Sequence, residues 1–171
     1  MVRLSFALRP TPRVLAEVAA LPRPSLPKVV WREAPRWLVT LRPLGHVPAA
    51  IWQPQLDAVR DELVGAASLP VVFGPSLRRY QQLDLPTLRC DELVATVLEA
   101  SGPLVPVTHS QLLYPDLVLA SGRIPAELTG WRPSTGWTAH EVLLVADRSS
   151  PRGTRLERRR TDDVRRITFD R

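Results

Sequence analysis

The sequence predicts an α+β domain built on antiparallel sheet, and three observations lead there. Its 171 residues suffice for one domain with a sizeable core and fall short of two ordinary ones. The hydrophobic pattern runs strand, helix, strand, helix, two strands, helix, then several strands. That order lacks strict alternation, and the chain lacks the glycine-rich phosphate loop that a doubly wound parallel sheet uses.

Arg3 to Arg9 alternates between prolines and reads as a first strand. Thr11 then caps a helix with Pro12 at its first position, and Val14, Leu15 and Val18 form its apolar face. Leu21 to Pro27 carries three prolines and must be an extended connector. Val29 to Trp31 leads into a strand over Trp37 to Arg42, which leaves by a tight turn at Leu44-Gly45 into a helix. Trp52, Leu56, Val59 and Leu63 fall at helical spacing. Leu69 to Phe73 and Leu77 to Leu85 read as two strands around a Gly74-Pro75 turn. Asp91 to Ala100 is a third helix, ended by Ser101-Gly102-Pro103. Leu112 to Ala120, Trp137 to Asp147 and Thr154 to Arg160 complete the strands, and the residues beyond Thr161 read as a loosely attached tail.

Composition narrows the classes. Apolar content is near average and charge is scattered, as in a soluble globular protein. No apolar run approaches the ~18 residues of a membrane span, and Val2 to Leu8 is too short for a signal-peptide core. Cys90 is the only cysteine, which rules out an internal disulfide and a cysteine metal cluster and gives a cytoplasmic expectation. The formal charge is +6, and Lys28 is the only lysine, so arginine carries nearly all the positive charge. Planar guanidinium forks suit phosphate, although the same bias also arises from genome composition alone. Much of the excess lies in the last twenty residues, as a basic edge for nucleic acid or as a solvated tail.

The chemistry-bearing stretch is Trp31 to Pro48, WREAPRWLVTLRPLGHVP. It resembles the first signature of the two-histidine (2H) phosphoesterases, the superfamily of 2′-5′ RNA ligase-like proteins and RNA 2′,3′-cyclic phosphodiesterases. Their pattern runs roughly W-x-P-x-x-W-H-x-T-L-x-F-L-G-x-V-P, and Trp31, Trp37, Thr40, Leu41, Leu44, Gly45, Val47 and Pro48 fall in register with it. Leu38 stands where the catalytic histidine is expected. The second signature, F-x-P-H-x-T-L-A-R, is best matched by Leu113 to Ser121, where Asp116 replaces histidine, Val118 threonine and Ser121 arginine. Arg3 to Leu8 resembles the family's opening R-x-F-x-A-L, and Trp137 to Val145 its closing strands.

The resemblance implies two pseudo-symmetric lobes of antiparallel sheet with packed helices around a central cleft. It also implies paired side chains two apart on one strand, which share a face. In such a cleft one imidazole acts as general base and the other as general acid, hydroxyls hold the phosphate oxygens, and no metal or cofactor is needed. Here Leu38 has no titratable atom, and Thr40 is the one hydroxyl kept. A carboxylate at Asp116 works against an anion, since like charges ~4 Å apart cost roughly 4 kcal/mol at an effective dielectric near 20. Asp116 therefore orients an arginine, meets a cationic ligand, or is simply a solvated cleft residue. His46, His109 and His140 are expected at surface or hydrogen-bonding positions rather than as replacements. Trp31, Trp37 and Trp52 are expected in the core rather than as base-stacking platforms, while Trp131 and Trp137 flank a loop that either is structural or lies over the cleft, where an aromatic could stack a base.

The expectation is one 2H-like domain over residues 1–160 with a basic tail over 161–171. It is a monomeric, catalytically inactive family member whose cleft takes a nucleotide, an RNA end or another small ligand through Thr40 and Arg42. Nothing indicates a preference for DNA. Two alternatives stay open: an active phosphodiesterase or RNA ligase using relocated groups, and a protein-interaction scaffold whose cleft is closed by Leu38 and Val118.

Overall fold

The structure, a computed structural model, describes residues 2–106, 114–147 and 163–169. Its strands are β1 (Val2–Leu8), β2 (Val29–Trp31), β3 (Val39–Val47), β4 (Leu69–Phe73), β5 (Leu77–Arg79), β6 (Gln82–Leu88), β7 (Asp116–Gly122), β8 (Trp137–Ala139), β9 (Glu141–Asp147) and β10 (Asp163–Thr168). The helices are α1 (Pro12–Ala20), α2 (Trp52–Leu63) and α3 (Asp91–Ser101). The strands form one sheet in the order β10-β9-β1-β3-β7-β6-β4-β8, every pair antiparallel, with β2 added to β7 and β5 to β6. Along the main path four strands lie on each side of the β3–β7 junction, with β2 and β5 added on the β7 side, so the fold is α+β with two related halves. Among the described residues no helix is long and apolar enough to cross a membrane.

Patterning accounts for the elements. Leu4, Phe6 and Leu8 of β1 turn to the core, leaving Arg3, Ser5 and Ala7 on the opposite face. Thr11 is extended ahead of Pro12, and α1 buries Val14 and Val18 at i, i+4 spacing. Helix α2 buries Trp52, Leu56, Val59 and Leu63 as the spacing predicts, and also Gln55. Helix α3 buries Leu93, Val94 and Val97 and begins with Asp91 and Glu92, whose charge suits a helix N-terminus.

Several expected boundaries shift. The chain does not turn out of β3 at Leu44-Gly45: β3 continues to Val47, with Gly45 in the left-handed region at φ +73°. Its ladder with β1 skips Leu41 and Leu44, so each bulge restores the core-facing parity that a plain strand would lose. The expected strand Leu77 to Leu85 folds back at Tyr80-Gln81 into the β5–β6 hairpin. The expected strand Trp137 to Asp147 is broken at His140, where the chain passes from pairing with β4 to pairing with β1. Strand β10 lies in the expected loose tail, where Ile167 and Phe169 are buried and the Phe169 N–H donates to the His140 carbonyl at 2.7 Å. The expected strand Thr154 to Arg160 and the start of Leu112 to Ala120 lie outside the described residues.

Arg42 is buried at 2% exposure. The skipped Leu41 pairs Arg42 with Phe6 on the core side, and its guanidinium donates to Ser101 Oγ of α3 and to the Val105 carbonyl. Gln55 of α2 donates to the Ser101 carbonyl at 3.2 Å, so these side chains tie α2, α3 and β3 together. Replacing Arg42 by Ala strands buried acceptors and opens a cavity, and is expected to cost roughly 2–4 kcal/mol in urea denaturation. A loss below about 0.5 kcal/mol, the range of ordinary surface substitutions, would contradict the buried placement.

Candidate ligand cleft

The halves meet where Val39 pairs with Leu117 and Thr40 with Asp116. A local two-fold axis through the Val39–Leu117 pair carries Leu38 onto Asp116 and Thr40 onto Val118. The two segments singled out in the sequence are therefore equivalent by the symmetry of the sheet. Val39 and Leu117 fill the core beneath, and the four positions between which the axis runs face the other side.

On that side lies an open cleft of about 290 Å³, bordered by Ser5, Leu38, Thr40, Gln82 and Val118. Arg3 from β1, with Arg32 and Arg36 from the segment ahead of β3, brings three guanidiniums to its wall. Arg32 Nε is buried and meets no hydrogen-bond partner among the described residues. Leu38 and Val118 line the cleft without closing it.

Asp116 does not stand free in solvent. Arg79 Nη1 donates to Asp116 Oδ2 at 2.6 Å and lies 4.0 Å from Asp84 Oδ2. The same guanidinium stacks on the Tyr114 ring, 3.5 Å from its centroid. Asp84 is 1% exposed, and its Oδ1 meets no donor among the described residues. Burial, and after it the neighbouring Asp116, push the Asp84 carboxyl up to about 7. Burial also raises Asp116, against the pull of Arg79. The proton belongs on Asp84, which hydrogen-bonds the Asp116 carboxylate that Arg79 neutralises. The three side chains together then carry no net charge below neutrality, and Asp116 no longer opposes an anion as a lone carboxylate would.

No family model and no curated protein sequence matches the chain. Solved structures do. A crystal structure of TT0787 from Thermus thermophilus superposes with a TM-score of 0.77 at 16% identity, over 98% of this chain and 97% of that one. E. coli LigT in complex with 3′-AMP gives 0.70 at 15% identity, over 99% and 95%. A structure described as a phosphoesterase gives 0.67 at 15%, over 99% and 96%. The fold is that of the 2H phosphoesterases.

In this 2H frame the expected site residues divide. Leu38, Thr40 and Val118 border the cleft, whereas Asp116, opposite Thr40 in the ladder, does not line it and is paired with Arg79. Arg42, expected as a ligand contact, belongs instead to the core because the bulge at Leu41 reverses its parity. His46 and His140 are exposed and do not line the cleft, and His109 lies outside the described residues. Trp37 and Trp52 are core residues, as expected. Trp137 is buried against Phe73, with ring centroids 5.2 Å apart, and is no stacking arm over the cleft. Trp131 stacks on Trp31 at 6.4 Å. The loop after it is tied to α1, where Glu17 Oε2 accepts from the Ser134 N–H at 2.5 Å and hydroxyl at 2.9 Å.

Sequence reasoning missed Arg3, Arg32 and Arg36 as a group and the Asp84–Arg79 partnership. The alternation of Leu83, Asp84 and Leu85 already set a carboxylate opposite two core leucines. Its partner could not be read, because Arg79 reaches it only through the unexpected hairpin at Tyr80.

A carboxyl raised on folding stabilises fully below its unfolded value near 4 and loses that contribution as pH rises through about 7. Stability should therefore decline between those limits, by at most about 1.4 kcal/mol per pH unit. Asp84→Asn, which keeps a donor toward Asp116, should flatten the decline in urea midpoints recorded from about pH 4 to about pH 8. Superimposable wild-type and variant profiles would contradict the proton-sharing pair.

Proposed function

We propose that this protein binds a nucleotide or a phosphorylated RNA end in its 2H-type cleft without turning it over. The observation that carries this reading is the gathering of Arg3, Arg32 and Arg36 beside the Thr40 hydroxyl in an open cleft that no described histidine lines. Guanidiniums and a hydroxyl suit phosphate oxygens. Turnover in a two-histidine cleft needs a base and an acid on opposite sides of the phosphate, and Leu38 supplies neither. Two further solved structures of E. coli LigT, with phosphate and with NADP+, carry anionic ligands on the same fold, which supports an anion in this one.

A second reading is favoured by the Asp84–Asp116 pair. It is a titratable group diagonal to Leu38, where a relocated acid would have to sit. On that reading hydrolysis of a cyclic phosphate persists in the unmodified protein and is lost in Asp84→Asn.

Calorimetric titration with adenosine 3′-monophosphate separates the outcomes. Binding is expected for the wild type, weakened about tenfold or more in Arg32→Gln/Arg36→Gln through loss of charge-assisted hydrogen bonds. Asp84→Asn should leave it intact at low pH. Equal affinity in the arginine variant and the wild type would remove the cleft as the binding site.

A further inference from the structure

Beyond the cleft, the concave face continues past Val118 to a row of side chains made by Val30, Ser121 and Gln82, which are direct neighbours across β2, β7 and β6. The ladder between β6 and β7 skips Leu119, and this bulge keeps Ser121 and Gln82 on the cleft side while Leu83 and Ala120 stay in the core. Gln82 borders both the cleft and a second recess, lined by Val30, Tyr80, Ser121 and Gly122. Over the rim of the sheet, Tyr80, Gln81 and Gly122 border a third recess of about 480 Å³, where Lys28, Arg78 and Arg123 converge. Among the described residues no acidic side chain lines the second or third recess.

The rim is built at a conformational cost. Lys28, Tyr80 and Gly122 all adopt left-handed backbone, at φ +64°, +53° and +116°. A bulky aromatic residue rarely does so. A Cβ on Gly122 would stand 2.0 Å from the Lys28 carbonyl oxygen. The Gly122 N–H donates to the Gln81 carbonyl at 2.8 Å and the Arg123 N–H to the Lys28 carbonyl at 3.0 Å, which fixes the three chain segments together. The two-residue loop between Arg79 and Gln82 itself calls for positive φ at Tyr80, a position that usually takes glycine or asparagine. The aromatic placed there is 89% exposed at the hairpin tip and free to meet a ligand.

We propose that this rim is a track for a single-stranded polynucleotide whose terminal phosphate lies in the cleft, with Tyr80 as a stacking platform for a base and Lys28, Arg78 and Arg123 as contacts to the following phosphates. The proposal rests on the cleft reading and extends it from a mononucleotide to a strand. An exposed aromatic beside a groove of cations is the arrangement that holds unpaired bases without reading their sequence. Strand β7, which runs from Asp116 at the cleft to Gly122 at the rim, spans about 20 Å, so the track is reached only by a ligand longer than one nucleotide.

The test compares a fluorescent oligouridylate carrying a 3′-phosphate, uridine 3′-monophosphate and polyglutamate, on the wild type, Tyr80→Asn and Arg78→Gln/Arg123→Gln. Asparagine tolerates left-handed backbone, so the hairpin is kept. The oligomer should bind more tightly than the mononucleotide. Each variant should lose about tenfold of oligomer affinity, and the charge variant should also lose about 0.7 from the salt slope for each arginine removed. Mononucleotide affinity should not change, which also reports that the variants are folded. Equal affinity of the wild type for oligomer and mononucleotide would overturn the track and leave the cleft reading standing. Oligomer binding that the rim variants weaken, with no mononucleotide binding, would keep the track and sink the cleft. Polyglutamate binding as tightly as the oligomer would overturn the nucleic-acid assignment in favour of an acidic protein segment.

Discussion

The pairing of Val39 with Leu117 at the centre of the sheet is the constraint on which the rest depends. Because the strands run antiparallel, that single register sets a two-fold relation and places positions 38, 40, 116 and 118 on one face. A slip of one residue would send Thr40 into the core and bring Val39 to the cleft. Val39 and Leu117 are fully buried, so burial itself specifies the register. The bulges at Leu41 and Leu119 act in the same direction. Each lets a strand bend while its apolar residues stay inward, and each decides which polar residue faces the cleft.

That geometry also governs the charges. Asp84 and Asp116 are brought onto one face, and only a shared proton and Arg79 make the pair tolerable in so little solvent. Arg42 meets the converse condition. It is held in the core by neutral oxygens, where burial pulls its guanidinium below the ordinary value. Arg3, Arg32 and Arg36 instead remain at the cleft wall, where solvent still reaches the charge. The molecule thus separates an internally compensated acidic cluster from a cationic wall within one concave surface.

Much of the fold was legible in sequence because period and punctuation agree locally: Thr11-Pro12 starts α1, and Trp52, Leu56, Val59 and Leu63 mark the buried stripe of α2. The motif positions were legible because two residues apart on a strand means one face. Failures came where backbone irregularity reverses parity or redirects the chain. Arg42 shares the spacing of Leu38 and Thr40, and only the bulge at Leu41 turns it inward. The hairpin at Tyr80-Gln81 carries no glycine, asparagine or proline to announce it, and the partnership of Arg79 with Asp116 was hidden with it. Strand β10 was missed because Arg165 and Arg166 interrupt its apolar alternation, and its pairing with β9 is settled at long range.

The central claim of the proposed reading is that the cleft survives while both proton-transfer groups and one of the two hydroxyls are replaced. Hydrolysis of a 2′,3′-cyclic nucleotide by Leu38→His/Asp116→His/Val118→Thr, beside the unmodified protein, tests it most directly. The account predicts no turnover by the unmodified protein and measurable turnover once both imidazoles and the second hydroxyl stand on the two-fold-related strands. Turnover by the unmodified protein would contradict it and move attention to Asp84 and Asp116.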